Sequence, residues 1–356
     1  MTPITFGIIG GGWRAEFFLR IAQALPDRFH IGGMLVRDAA KGDKIEATWG
    51  IKTVRTVDEL LRLADFEFIV LSVPWPVTPV LLKDLAARKM PVLAETPPAP
   101  DLPGLLALHD LTKQGAKIQV AEQYQFQPLH AARLHLVQSG KLGTVSQAQV
   151  SVAHGYHGVN ILRGLLDVSY EVATITARSF TSPIVGGPGR SGPPEAEQIN
   201  NSSQIIAQLD FGDKLGIFDF TGDQYFSWIR SPRVLVRGER GEINNQQVKY
   251  LQDFLTPVEF DLRRIDAGQD GNLEGYYHKG ILAGNEWIYR NPFIPARLSD
   301  DEIAIATCLQ KMSEYVQGGP SFCSLPEASQ DHYLGLMIGK AVETCKTVRA
   351  ERQVWA

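Results

Sequence analysis

The stretch Phe6-Gly7-Ile8-Ile9-Gly10-Gly11-Gly12-Trp13-Arg14-Ala15 decides how the rest of the chain is read. The apolar run up to Ile9 predicts a buried strand, and the pattern from Glu16 to about Ala24 predicts a helix. The residues between them are Gly10-x-Gly12-x-x-Ala15. Gly10 makes a tight turn, Gly12 lets a pyrophosphate approach its backbone, and Ala15 lets the helix pack closely on the strand. The free N–H groups and the positive end of that helix then face the phosphates. A glycine-rich turn alone also fits an ordinary α/β domain. The flanking strand and helix make this one a dinucleotide site, with Gly10, Gly12, Trp13, Arg14 and Ala15 on the cofactor.

Outward from this turn, Phe29 to Val36 reads as the second strand. The acid that reads a ribose in such folds stands about 20 residues past the glycines. Val36 occupies its place, followed by Arg37 and Asp38. An arginine without the acid suits a 2′-phosphate, so NADP is the preferred cofactor. Asp38 keeps NAD possible. Thr56 is a candidate N-cap for a short helix from Asp58 to Leu63. Phe66 to Val73 is a buried strand broken by Pro74-Trp75-Pro76, at the carboxyl end of the sheet where ligands bind. Val73, Pro74 and Trp75 therefore join the cofactor set. Helices are expected over Thr78–Lys89 and Leu102–Gln114, and strands over Pro91–Ala94 and Lys117–Ala121. The first of these two strands runs into Glu95-Thr96. This alternation predicts a doubly wound parallel sheet.

The pattern changes after Glu122. A helix is expected from Gln123 to about Ser139, and a short one from Gly158 to Leu166. Strands follow over Val145–Ala153, Val172–Phe180, Gln204–Phe211, Leu215–Phe220 and Arg233–Arg237. Ser182 to Ser203, rich in glycine and proline, reads as an unusually long loop. Ser299 with Glu302 forms a capping-box pattern, and Pro326 to about Arg349 reads as the last helix. The expected architecture is α/β, with a Rossmann domain over residues 1–122 and a second α/β domain over 123–356. That second domain carries a large, mostly antiparallel open sheet, and a return of the last helices to the first domain stays open.

A chain of 356 residues fits two domains. A net charge of −4 gives no footprint for nucleic acid. No apolar run reaches the roughly 18 residues of a membrane span, and no signal-peptide pattern opens the chain. Cys308, Cys323 and Cys345 lie far apart, which suits reduced thiols in a cytoplasm.

The order of elements and three motifs resemble the glucose–fructose oxidoreductase / inositol dehydrogenase / MocA (Gfo/Idh/MocA) family. The motifs are Gly10 to Ala15, Ala94-Glu95-Thr96-Pro97, and His157 with Asn160 at the start of a helix. Tyr124-x-Phe126-x-Pro128 and Gly140-x-Leu142-Gly143 fit as well. The resemblance implies NAD(P)-dependent hydride transfer on a sugar, cyclitol or related polyol. It also implies a homodimer or homotetramer formed through the second sheet. Thr96 stands where the family has its catalytic lysine, and Ala153 and Asn160 stand where it has acids. His157 is what remains of the usual set.

His157 is the leading acid–base residue, because imidazole exchanges a proton near neutrality. Tyr156 and Tyr124 are candidate donors in place of the lysine, and Thr96 completes the catalytic set. Glu95 and Thr96 also join the cofactor set. Glu122, Asn160 and Arg163 are candidate substrate contacts, each also readable as a structural polar residue. His154 and His157 are spaced for a metal, but nothing completes a ligand set, so none is expected. Asp266 to Glu274 lacks the ligands of a calcium loop. The aromatic stretch from Tyr250 to Phe293 fits sugar stacking or packing. The leading expectation is a dehydrogenase. A cofactor-binding sensor or partner subunit, and an enzyme that recycles bound cofactor as a lyase, epimerase or glycosidase does, stay open beside it.

Overall fold

The computed structural model describes residues 2–356. In chain order its first part runs β1 (Ile4–Ile9), α1 (Ala15–Ala24), β2 (Phe29–Leu35), α2 (Ala39–Trp49), β3 (Thr53–Val54) and α3 (Val57–Leu60). It continues through β4 (Phe68–Leu71), α4 (Thr78–Ala87), β5 (Val92–Ala94), α5 (Leu102–Lys113) and β6 (Ile118–Val120). The six strands form a parallel sheet in the order β3-β2-β1-β4-β5-β6. Every residue of β4 and of β5 is buried, as expected for a parallel sheet covered on both faces. Strand order reverses between β1 and β4, which opens a crevice at their carboxyl ends.

The chain then forms α6 (Pro128–Gln138), β7 (Val145–Ser151), α7 (Gly155–Leu166), β8 (Ala173–Val185), β9 (Ile199–Asp210), β10 (Leu215–Thr221) and β11 (Arg233–Gly238). Next come β12 (Gly241–Asn244), β13 (Gln247–Leu251), β14 (Pro257–Asp266), β15 (His278–Ala283) and β16 (Glu286–Arg290). Helices α8 (Asp300–Val316) and α9 (Leu325–Thr344) precede a last strand, β17 (Val348–Ala350). An eleven-stranded sheet results, in the order β16-β15-β14-β13-β12-β11-β7-β10-β9-β8-β17. Its neighbours are antiparallel except for β7 with β10. Ala173, Ile175 and Ala177 of β8 point inward, sharing a core with Leu162 of α7 and with Leu334 and Ile338 of α9. The alternate residues Thr174, Thr176 and Arg178 face out.

Several expectations shift. Helix α2 escapes a reading by apolar periodicity because only Gly42 and Ile45 are buried. The long loop shrinks to residues 186–198, since β8 and β9 go on pairing as far as Val185 and Ile199. A ladder of backbone hydrogen bonds does not need apolar side chains to continue. Residues Tyr124–Phe126 form a single 3-10 turn, and α6 starts afresh with Pro128 at its first turn. Helix α7 begins three residues earlier than Gly158, which places His157 in its first turn. The last helix stops at Thr344, and Arg349 belongs to β17, beside β8.

Helix α8 packs on α1. Ile303, Ala306, Leu309 and Met312 share a core with Ala15, Phe18 and Ile21. The Ser299 side chain accepts from the Glu302 N–H at 3.3 Å, and Glu302 accepts from the Ser299 N–H at 2.9 Å. Glu302 also takes Arg20 at 2.7 Å, so this cap holds one end of the α1–α8 contact. Ser299→Ala should lower unfolding free energy by about 1 kcal/mol, measured by urea titration. An unchanged midpoint would show that the cap does not support the packing.

Candidate active site

The β1–α1 turn is built by two glycines with different constraints. Gly10 has φ of 120°, and a Cβ there would lie 1.8 Å from the Ser72 carbonyl oxygen. The turn is pressed against the end of β4, and only glycine fits. A Cβ on Gly12 would meet no atom within 4 Å. The N–H groups of Gly12, Trp13 and Arg14 have no partner among the described residues, whereas the Ala15 N–H bonds the Gly12 carbonyl at 3.0 Å. Open space in front of unsatisfied N–H groups at a helix start is a cradle for an anion. A dinucleotide's pyrophosphate fits it.

The cradle lies in the middle of a cleft of about 930 Å³ at the carboxyl ends of β1 and β4. That volume suits a cofactor-sized ligand. One end is lined by Arg37, Lys41 and Arg55 together with Val36 and Asp38. The Asp38 carboxylate accepts from the Lys41 N–H at 2.8 Å and caps α2. The other end is lined by Val73, Pro74, Trp75, Glu95, Thr96, His154, Tyr156 and His157. Trp75 stands edge-on to Tyr156 at 6.3 Å between centroids and to His332 at 6.5 Å. Arg14 lines the middle, but its charge is matched: it donates to Asp301 of α8 at 2.9 Å and lies 3.7 Å from Glu95.

The chemistry is concentrated on His157 and Glu122. Both are buried, and His157 Nδ1 lies 2.6 Å from a Glu122 carboxylate oxygen. The other Glu122 oxygen accepts from the Tyr124 N–H at 3.2 Å. Burial pushes the Glu122 carboxyl up to about 8 and the His157 imidazole down to about 3. The pair therefore holds one shared proton, besides the N–H of the neutral ring, and no net charge around neutrality. Nδ1 is tied to Glu122, so Nε2 is the ring nitrogen left for a substrate. Beside it, burial and the nearby His157 push His154 down to about 4. His154 Nδ1 lies 2.6 Å from the Tyr225 hydroxyl. Burial raises the Tyr156 phenol above its ordinary range, so it stays a donor, with its oxygen 3.5 Å from the Thr96 carbonyl. Burial also raises Glu95 to about 7, with Arg14 opposing the shift.

Residues 4–123 match the model of an oxidoreductase family with an NAD-binding Rossmann fold, Gfo/Idh/MocA. That match spans the first sheet and ends where the second part of the chain begins. Among curated proteins none matches the chain by sequence. Solved structures match it over nearly its whole length. Levoglucosan dehydrogenase in complex with NADH and L-sorbose is 14% identical, with a TM-score of 0.72, covering 99% of this chain and 100% of its own. An oxidoreductase from Agrobacterium radiobacter in complex with NAD+, L-tartaric acid and magnesium is 16% identical, with a TM-score of 0.69 and 98% of each chain covered. GenD2 from gentamicin A biosynthesis, in complex with NAD, is 15% identical, with a TM-score of 0.65, covering 99% of this chain and 97% of its own. At such identities the likeness is one of fold.

Some expected site residues fall elsewhere. Glu122 does not line the cleft, and both its oxygens are engaged inside the protein. Arg163 and Asn160 do not line the cleft. Arg163 pairs with buried Asp331, and Asn160 donates to the same carboxylate at 2.8 Å. These bonds join α7 to α9. Tyr124 does not line the cleft either; its ring packs on His157 at 4.6 Å between centroids. Asp38 is used as a helix cap. The aromatic stretch lies outside the cleft as well, where Phe293 is fully buried and Tyr250 packs on Phe260.

Lys41, Arg55, His332 and Tyr225 escaped the sequence reading. Lys41 lies on the helix that periodicity could not show, and the other three carry no local motif. Among the described residues no helix is long and apolar enough to cross a membrane.

The two glycines allow a clean separation of fold from ligand. Gly10→Ala should destabilise the protein, because backbone blocks its Cβ. Gly12→Val should fold with an unchanged urea midpoint and lose dinucleotide affinity in calorimetry. Full affinity in folded Gly12→Val would remove the cradle from the cofactor site.

Proposed function

We propose that the protein is a nicotinamide-dependent oxidoreductase interconverting a secondary alcohol and a ketone on a sugar, cyclitol or related polyol. The observation that carries this reading is the proton-sharing His157–Glu122 pair opening on the same cleft as the Gly12 cradle. A bound nicotinamide dinucleotide supplies or takes the hydride; the chain's part is to move the proton. In the reducing direction Glu122 starts protonated and His157 starts neutral, with its ring proton on Nε2. His157 Nε2 donates to the forming hydroxyl, and the proton shared with Glu122 passes to Nδ1. The pair ends as a neutral imidazole beside an ionised carboxylate. Alcohol oxidation runs the transfer backwards, with Nε2 as acceptor. Tyr156 and Thr96 provide hydrogen bonds without charge. A polyol suits this polar wall because it brings several hydroxyls. Phe180 and Ile206, exposed on the outer face of β8 and β9, support assembly into a homo-oligomer through that sheet.

The test is a panel of sugars, polyols and sugar acids with both cofactors, followed at the nicotinamide absorbance band. Absorbance change in step with product supports the proposal. Product without net absorbance change assigns the protein to internal cofactor recycling, and binding without product assigns it to sensing.

The NADP preference rests on Arg37, Lys41 and Arg55 converging where Asp38 is engaged by α2. Arginine binds phosphate through paired, charge-assisted bonds. Each is worth on the order of 1.5–3 kcal/mol, so Arg37→Ala should weaken NADP about tenfold or more and leave NAD nearly unchanged. Equal losses, or tighter NAD binding by the parent, would refute the preference.

The proton pair sets a pH profile. The sequence leaves His157 without a carboxylate and with an ordinary pKa; Glu122 changes that. The reducing form of the pair, with its shared proton, is lost as pH rises through the Glu122 value of about 8. Reduction should therefore be level near neutrality and fall above about 8, while oxidation rises over the same span. His157→Asn should cut turnover roughly 10²- to 10⁴-fold and keep cofactor affinity. Glu122→Gln should remove the pH limb, since an amide cannot relay a proton. Full turnover with the parent pH profile in His157→Asn would assign the proton to another group.

A further inference from the structure

The loop 186–198, between β8 and β9 of the second sheet, reaches back to the dinucleotide turn. Its tip is a tight hairpin. The Gly189 N–H bonds the Gly192 carbonyl at 2.9 Å, and the Gly192 N–H bonds the Gly189 carbonyl at 3.1 Å. Arg190 and Ser191 are the two residues between them. The Arg190 guanidinium carbon lies 3.7 Å from the centroid of the Trp13 ring. Trp13 is the residue between Gly12 and Arg14, whose N–H groups are the open donors of the cradle. Arg190 has no carboxylate partner among the described residues.

The charges around the cradle give this contact a purpose. A pyrophosphate diester brings two negative charges. Arg14, the cation within the turn, is already matched by Asp301 and Glu95. Arg37, Lys41 and Arg55 stand at the far end, beside the last residues of β2. The N-terminal domain thus offers N–H groups to the pyrophosphate but no uncommitted cation. Arg190 provides one from the other sheet, held over the turn by the indole face.

We propose that Arg190 is a cofactor-binding residue contributed by the C-terminal sheet, which meets the dinucleotide pyrophosphate above the Gly10–Arg14 turn. Loop 186–198 then reaches the rim of the cleft at Trp13, the platform on which its cation rests. The proposal rests on the reading of the cleft as a dinucleotide site. It assigns a function to the glycine- and proline-rich segment, whose Gly192 has φ of +121° and lets the chain double back at the tip.

The experiment compares parent and Arg190→Ala by calorimetry with NADH, NADPH and adenosine 2′-monophosphate, which lacks the pyrophosphate. Loss of one charge-assisted contact should weaken NADH and NADPH by the same factor of about ten or more, and make their binding less sensitive to salt. Adenosine 2′-monophosphate should bind both proteins alike. Parent affinity for NADH and NADPH in Arg190→Ala overturns the proposal. So does an equal loss for adenosine 2′-monophosphate, which would mean a general disturbance of the cleft. A parent that binds neither dinucleotide overturns the dinucleotide reading itself, a failure distinct from that of the Arg190 contact.

Discussion

The close approach of the β1–α1 turn to the end of β4 is the constraint on which the cleft depends. With a Cβ at Gly10 placed 1.8 Å from the Ser72 carbonyl oxygen, these two strand ends are in backbone contact. The chain must leave them in different directions, into α1 on one side and through Val73 to Trp75 on the other. The crevice between those exits is forced by the strand order, because β1 and β4 are the neighbours at which that order reverses. Gly12, two residues on, is free of this pressure. The same short motif thus holds one glycine that the fold requires and one that the ligand requires.

The second sheet and the last helices complete what this crevice starts. Helix α8 returns to cover α1 and brings Asp301 to Arg14 and Glu302 to Arg20. Without Asp301, Arg14 would face the cradle with only Glu95, at 3.7 Å, to balance it. Helix α7 then presents His157 from the far side of the cleft, while Glu122 follows β6 of the first sheet. Their bond crosses between the two parts of the chain. The angle between those parts is therefore coupled to the geometry of the proton pair. The buried Arg163–Asp331 pair strengthens this arrangement by fixing α7 against α9. Breaking such a pair from one side strands a buried charge, typically at a cost of 3–5 kcal/mol.

Much of this is legible in the sequence. The turn, the alternation of strands and helices and the Thr56 and Ser299 caps all follow from local pattern, whereas His157 stands out only through the resemblance. Local pattern fails where burial does not track structure. Helix α2 buries too little to show a period, and Lys41 was hidden with it. β8 and β9 extend into a segment whose composition reads as loop, because their ladder rests on backbone bonds. The site is less legible than the fold for a related reason. Glu122 and His157 are 35 residues apart, and nothing in either neighbourhood marks them as partners. Glu122 read as a substrate contact because it ends a strand on the ligand side. Its true partner appears only once α7 is folded across the end of β6. Arg163 misled in the same way, as a cation near the expected site whose charge is taken up by Asp331.

Thr96 lines the cleft without bringing a charge to it, which decides the kind of electrostatics the cleft can use. A lysine would bring a fixed positive charge to the reacting oxygen. Here Thr96 has none. Burial holds Tyr156 in its protonated form and His154 in its neutral one. The His157–Glu122 pair, with its single shared proton, is neutral as well. The wall facing a substrate therefore offers donors and acceptors without a net charge near neutrality. Charge that develops on an oxygen there is met by oriented dipoles in a poorly hydrated setting, where each hydrogen bond is worth more than in water. Burial of Glu122 is what keeps this balance. An ordinary carboxylate would be ionised at neutral pH and would place a negative charge one imidazole away from the reacting oxygen. Raised to about 8, it keeps a proton within reach of Nδ1 while adding no charge to the wall. In the proposed reaction a mobile proton, held by a carboxyl too buried to ionise easily, takes the part that a fixed cation would otherwise play.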